Sequence, residues 1–186
     1  IAQCINNDDV IESVNFARHY QLLTAVKCGG HSVSGKGTCD DGLIIDLSPL
    51  QGTSVDPTTQ RILITGGSLL SALDEATVPL GLGTTAGTVS HTGVGGLTLG
   101  GGFGRLGRRF GLTIDNLKSV EIVTADGQLR YADDQENSEL FWAVRGGGGN
   151  FGIVTMFEFQ LHPMNPQVVG GRIHYPFSQV KDLLKF

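Results

Sequence analysis

The chain has 186 residues, 40% of them apolar, and a formal net charge of −5. That composition supplies enough apolar material for one or two packed domains and excludes a disordered segment. The acidic balance, with no basic cluster beyond Arg105-Leu-Gly-Arg108-Arg109, argues against a nucleic-acid binder, and no apolar run approaches the ~18 residues that cross a bilayer.

In chain order, Asn7 or Asp8 can cap a helix running to about His19, with Val10, Ile11, Val14 and Ala17 on one face. Residues 22–27 and 42–47 read as strands, and 52–56 with 61–66 as a hairpin around Pro57-Thr-Thr-Gln60. Ser68 to about Val78 is an amphipathic helix with Leu69, Leu70, Leu73 and Ala76 inward. Val120–Thr124 and Leu129–Ala132 flank Asp126-Gly127, a strong hairpin signal. Ser138–Val144 predicts a short helix, Ile153–Leu161 a half-buried strand, Val168–Tyr175 another strand, and 178–186 the start of a helix. Short strands mixed with few helices predict an α+β fold rather than a regular βαβ wind.

Cys4, Cys28 and Cys39 cannot all pair within one chain, and their spacing matches no zinc pattern. A 28–39 bridge is conceivable, but free thiols are the simpler expectation. The chain starts without Met and stops inside an expected helix, so both ends read as cut and the compartment stays open.

Two segments carry chemistry. Lys27-Cys28-Gly29-Gly30-His31-Ser32 follows an apolar strand. Glycines there permit strained dihedrals and close approach, and successive backbone N–H groups in such a turn make an anion-binding concavity. A histidine beside it can act as a nucleophile toward whatever carries the anion, though Gly-Gly-His is also an ordinary turn. In the second segment, seven of the twelve residues 93–104 are glycine, interspersed with Val, Leu, Thr and Phe. Flexible linkers pair glycine with Ser or Pro instead, so this stretch is expected to be ordered, its backbone pressed against a flat or charged ligand.

Gly102-Phe-Gly-Arg-Leu-Gly107 and Gly147-Gly-Gly-Asn-Phe-Gly152 both match G-x-G-x-x-G. Neither has the preceding strand and following helix that a dinucleotide fingerprint needs, so both are rejected. His19 and His162 attract no role. His91 can hydrogen-bond a ligand or cap a turn, and Asp115-Asn116 can do either as well.

Taken together, Lys27–Ser32, the run Val89–Gly104, Gly111-Leu-Thr-Ile-Asp-Asn116 and Arg145–Val154 resemble, in order, the FAD domain of the berberine-bridge-enzyme-like FAD-linked oxidases. These share the fold of vanillyl-alcohol oxidase and p-cresol methylhydroxylase. Similar in pattern are 6-hydroxynicotine oxidase and the oligosaccharide oxidases. The resemblance implies a PCMH-type FAD-binding fold of two α+β subdomains over residues 1–166, with 167–186 beginning a substrate-binding domain.

It further implies that Gly29, Gly30 and Ser32 sit on the pyrophosphate and that His31 carries the flavin covalently through its 8α-methyl group. Thr88, Ser90, Thr92, Gly93, Gly95 and Gly96 would line the phosphate and ribityl chain, with Asn150, Gly152 and Val154 near the flavin or adenine through backbone and His91 counted among the cofactor-binding residues. The expected partners are a small-molecule substrate and O2, with no metal. A dehydrogenase, or a non-catalytic FAD-binding module, is the alternative. Two residues depart from the family pattern: Cys28 stands where arginine is frequent, and Val89 stands where some members carry a second flavin bond from cysteine.

Overall fold

The computed structural model describes residues 1–167 and 169–185. In order, the elements are β1 (Ala2–Gln3), α1 (Asn7–His19), β2 (Thr24–Lys27), β3 (Leu43–Asp46), β4 (Thr53–Asp56), β5 (Arg61–Thr65), α2 (Leu70–Thr77) and β6 (Leu82–Gly83). Then follow α3 (Val94–Leu99), α4 (Gly107–Phe110), β7 (Leu117–Val123), β8 (Leu129–Asp133), α5 (Ser138–Val144), β9 (Ile153–Gln160), β10 (His162–Pro163) and α6 (Val180–Leu183).

The expected α+β class is what forms, and its strands fall into separate sheets. The N-terminal sheet has the order β1-β3-β2 and is parallel. A five-stranded antiparallel sheet runs β4-β5-β9-β7-β8, and β6 pairs with β10.

Helix α1 begins one residue earlier than expected because Asn6, not Asn7 or Asp8, caps it: its side chain accepts the Asp9 N–H at 2.9 Å. Asp8 and Asp9 in the first turn and Arg18 and His19 in the last suit the helix dipole. Past the helix end at His19 and its cap Tyr20, the chain reverses through Gln21 at φ +53°, with the N–H of Leu22 bonded back to the carbonyl of Ala17 at 2.9 Å. That reversal consumes Leu22 and Leu23, so β2 starts at Thr24 rather than at 22.

Two hydrophobic cores result. One packs Ile62, Ile64, Leu70, Leu73, Phe141, Phe157 and Phe159; the other packs Cys4, Val10, Ile45, Leu47 and Leu50. Strands β7 and β9 serve both. Ile122 and Val154 point into the first core while their neighbours Val123 and Ile153 point into the second, as period-2 alternation requires. The end of the antiparallel sheet is thereby clamped against the N-terminal sheet.

The expected strand Val168–Tyr175 does not form over residues 169–175, which are exposed and irregular; Val168 lies outside the described residues. Phe186, the last residue of the expected terminal helix, also lies outside them, and that helix is limited to α6.

Candidate functional site

Strand β2 delivers the Gly-Gly-His turn, and its end is anchored electrostatically. Lys27 Nζ donates to Asp46 Oδ2 at 2.9 Å and to Ser48 Oγ at 3.0 Å. The Ser48 hydroxyl donates to Asp46 Oδ1 and lies 3.1 Å from the carbonyl of Cys28. Burial alone pushes the Asp46 carboxyl up, but the Ser48 and Lys27 bonds outweigh it and hold it below the usual carboxylate range. Burial pushes the Cys28 thiol up, and its Sγ points at the Ser68 carbonyl at 3.6 Å.

The glycine-rich run is ordered by α2. Leu70 N–H and Ser71 N–H donate to the carbonyls of Thr92 and Ser90 at 3.0 and 2.9 Å, and Val94 N–H donates to Ser68 at 2.9 Å. These bonds carry the chain into α3, a helix inside the stretch, where neither propensity nor periodicity predicts one.

The two segments meet at Gly29 and Gly93. A Cβ on Gly29 would stand 2.9 Å from Gly93 Cα, and one on Gly93 would stand 2.6 Å from Gly29 N. Neither position has room for a side chain. Beside this crossing, His31 Nε2 and His91 Nδ1 are 2.6 Å apart, with ring centroids 4.6 Å apart; both residues are exposed. Gly30 adopts φ +72° with nothing near its missing Cβ.

A groove of about 300 Å³ opens here, lined by Lys27, Cys28, Gly29, Ser48, Gln51, Gly67, Leu69 and His91. A second, of about 320 Å³, runs along Gly87, Thr88, Val89, Thr92, Leu97, Gly100, Gly102 and Phe103.

The remaining expected residues divide. Gly95 is buried in α3, where a Cβ would press to 3.0 Å from the Gly66 carbonyl, whereas Gly96 is exposed with open space around it. Asn150 sits in a one-turn 3-10 helix packed near α3, its Nδ2 donating to the Gly147 carbonyl at 2.7 Å. Gly152 has φ +145° and a close neighbour in the Val123 carbonyl. The Val154 side chain is buried in the first core, so only its backbone is left to meet a ligand. Ser32 turns its hydroxyl into its own loop, accepting from Lys36 N–H at 3.1 Å.

Asp115 and Asn116 are structural. Asp115 accepts the Leu112 N–H at 2.7 Å. Asn116 Nδ2 donates to the carbonyls of Phe110 and Leu112 at 3.0 and 2.8 Å, and its Oδ1 meets His162 Nε2 at 2.7 Å. His162 also stacks on Phe110, with centroids 4.2 Å apart.

Sequence reasoning missed Gly66 and Gly67. A Cβ on either would strike backbone, the Val154 carbonyl for Gly66 and the Leu47 and Leu50 carbonyls for Gly67. The available signal was a Gly-Gly pair closing the apolar run 61–65.

This backbone cradle fits a long, flat, anionic cofactor: the approaching surfaces are Cα and N–H groups, and the side chains that could obstruct it are absent at 29, 30, 93 and 96. The sequence matches the FAD binding domain family over residues 1–133. The chain belongs to that family.

It is 44% identical over 179 residues to an FAD-linked oxidoreductase of Dictyostelium discoideum, covering 96% of this chain and 39% of that protein. The crystal structure of 6-hydroxy-D-nicotine oxidase from Arthrobacter nicotinovorans superposes with a TM-score of 0.85 at 39% identity, over 87% of this chain and 36% of that one. A glucooligosaccharide oxidase from Acremonium strictum, which carries a 6-S-cysteinyl, 8α-N1-histidyl FAD, superposes with a TM-score of 0.81 at 34% identity, over 86% of this chain and 34% of that one. The chain thus spans well under half the length of these relatives.

Proposed function

We propose that the full-length protein is an oxidase that takes a hydride from a C–OH or C–N carbon of a small molecule and passes the electrons to O2. The observation that supports it most is the crossing of Gly29 over Gly93, which sets His31 beside bare backbone. When bound, FAD supplies the hydride acceptor; the chain's own part is to hold and orient it.

In this proposal Gly29, Gly30 and Ser32 border the pyrophosphate, Ser32 through its backbone because its hydroxyl is engaged in its own loop. Thr88, Ser90, Thr92, Gly93, Gly95 and Gly96 flank the phosphate and ribityl chain, His91 borders the cofactor beside His31, and Asn150, Gly152 and Val154 meet the ring systems through backbone. The exposed imidazole of His31 forms the covalent link. The histidyl FAD of the glucooligosaccharide oxidase supports that assignment. The hydroxynicotine and glucooligosaccharide oxidases among the relatives leave both amines and sugars open as substrates.

Residues 1–166 form the FAD-binding domain, and 167–186 begin a substrate-binding domain. In support, the last buried core residue among the described residues is Leu161, and the chain over 169–176 is exposed and irregular.

The test is anaerobic titration of the full-length protein with sugars, amines and hydroxy acids. One substrate class should bleach the flavin absorbance, and air should restore it with release of hydrogen peroxide. Bleaching that only an artificial electron acceptor reverses would mark a dehydrogenase and overturn the oxidase assignment.

A further inference from the structure

We infer that His91 is a positioning residue for flavin attachment: it fixes the tautomer of His31 and directs the covalent bond to His31 Nδ1. The inference rests on the proposed His31 tether, whose Nδ1 linkage would match the 8α-N1-histidyl FAD of the glucooligosaccharide oxidase, and adds to it a second residue and a proton acceptor.

The geometry is specific. His31 Nε2 has the Nδ1 of His91 at 2.6 Å, with the ring planes inclined by 38°. A nitrogen approached that closely by another ring nitrogen has no room for a methylene carbon. The contact also needs one proton between the two nitrogens. If His31 Nε2–H is the donor, His31 Nδ1 carries the free lone pair and is the nucleophile. No hydrogen bond to His31 Nδ1 or His91 Nε2 forms among the described residues, so each is free for its part. His91 is held in place from its own side of the loop, because the carbonyls of Ser90 and Thr92 are both bonded to the first turn of α2. The two histidines are 60 residues apart in sequence and meet only because Gly29 and Gly93 cross without side chains.

The step balances as follows. The bond that forms joins His31 Nδ1 to the 8α carbon, and the bond that breaks is one C–H of that methyl group. The alkylated ring gains positive charge and gives its Nε2 proton to His91 Nδ1. Two hydrogens are lost in all, one from the methyl group and one from His31. With two electrons they convert one dioxygen to hydrogen peroxide.

The test reconstitutes full-length apoprotein with FAD in air. Covalent flavin is followed by acid precipitation, and the linkage is read by NMR of the isolated flavin peptide. The wild type should be linked through His31 Nδ1. His91→Ala should still bind FAD non-covalently, while covalent attachment slows by about a hundredfold, the size of a lost proton acceptor. His91→Asn, whose side-chain oxygen accepts the Nε2–H hydrogen bond but cannot take up the proton, should keep the Nδ1 linkage while attachment stays slow. An Nε2 linkage in the wild type overturns the inference, as does wild-type rate and linkage in His91→Ala; in both cases the His31 tether stands. A wild type with no histidyl flavin overturns the tether and this inference together. Should His91→Ala misfold, the wild-type linkage and the His91→Asn rate still decide.

Discussion

Gly29 and Gly93 approach so closely that a methyl group on Gly93 would lie 2.6 Å from the Gly29 nitrogen. This contact joins the N-terminal parallel sheet to the glycine-rich run and sets the spacing between His31 and His91. Gly93→Ala should destabilise the protein by roughly 1–3 kcal/mol through overpacking of backbone. Thermal unfolding of the full-length protein measures it.

Gly96 gives the opposite sign. It lies inside α3 with nothing within 4 Å of its missing Cβ. Gly96→Ala should stabilise the apoprotein by about 0.5–1 kcal/mol, because alanine loses less backbone entropy in a helix. The new methyl group stands on the proposed cofactor face, so FAD affinity should fall by about tenfold or more, equivalent to ~1.4 kcal/mol. Titration in a His31→Ala background reads non-covalent affinity directly. Unchanged affinity would remove Gly96 from the site.

Asp46 anchors the strand that carries His31. Its lowered pKa means that the folded state favours the carboxylate. The contribution is therefore complete above the unfolded value of about 3.9 and is lost as pH falls through the lower native value. Asp46→Asn should cost roughly 1–3 kcal/mol at neutral pH, since the Lys27 ammonium and the Ser48 hydroxyl lose a buried charged partner. Chemical denaturation at pH 7 and pH 3 should show that difference shrinking at the lower pH.

The Asn116–His162 pair has its own pH signature. Burial first, then Arg109 and Lys118, lowers the His162 pKa, so folding favours neutral imidazole. The unfolded chain binds the extra proton below about pH 6.5, and stability should fall with pH until the native value is passed. His162→Asn should flatten that slope. Asn116→Ala should cost about 1–3 kcal/mol, because it strands the Phe110 carbonyl and takes the side-chain donor from the Leu112 carbonyl, which keeps the Asp115 N–H.

The flavin link should be single. Val89 offers no nucleophile, and Cys4, Cys28 and Cys39 are free thiols in other segments, Cys4 buried. Mass mapping of a protease digest should find flavin mass on no cysteine peptide.

Much of this was legible in the sequence for a physical reason. A glycine forced by close approach leaves a local mark, and Gly29, Gly93 and the run to Gly104 carry it. Alternation along 153–161 revealed β9 because Phe157, Phe159 and Leu161 face the first core while Met156, Glu158 and Gln160 between them are half-buried; burial on both faces is confined to the strand's start. Helix α3 was not legible: Gly95 and Gly96 lower its propensity, and burial of Val94 and Thr98 supplies what periodicity cannot show over six residues. In the sequence His91 stays open and His162 has no role, for a different reason. Each is defined by a partner far away in sequence, His31 for one and Asn116 for the other, and no local pattern encodes such a contact.

The most direct test of the account is acid precipitation of the purified full-length protein, followed by peptide mapping of the pellet. The pellet should stay yellow, flavin should map to the peptide containing His31, and His31→Ala should release its FAD to the supernatant. A colourless pellet from the unmutated protein, with all FAD in the supernatant, would contradict the tether at His31.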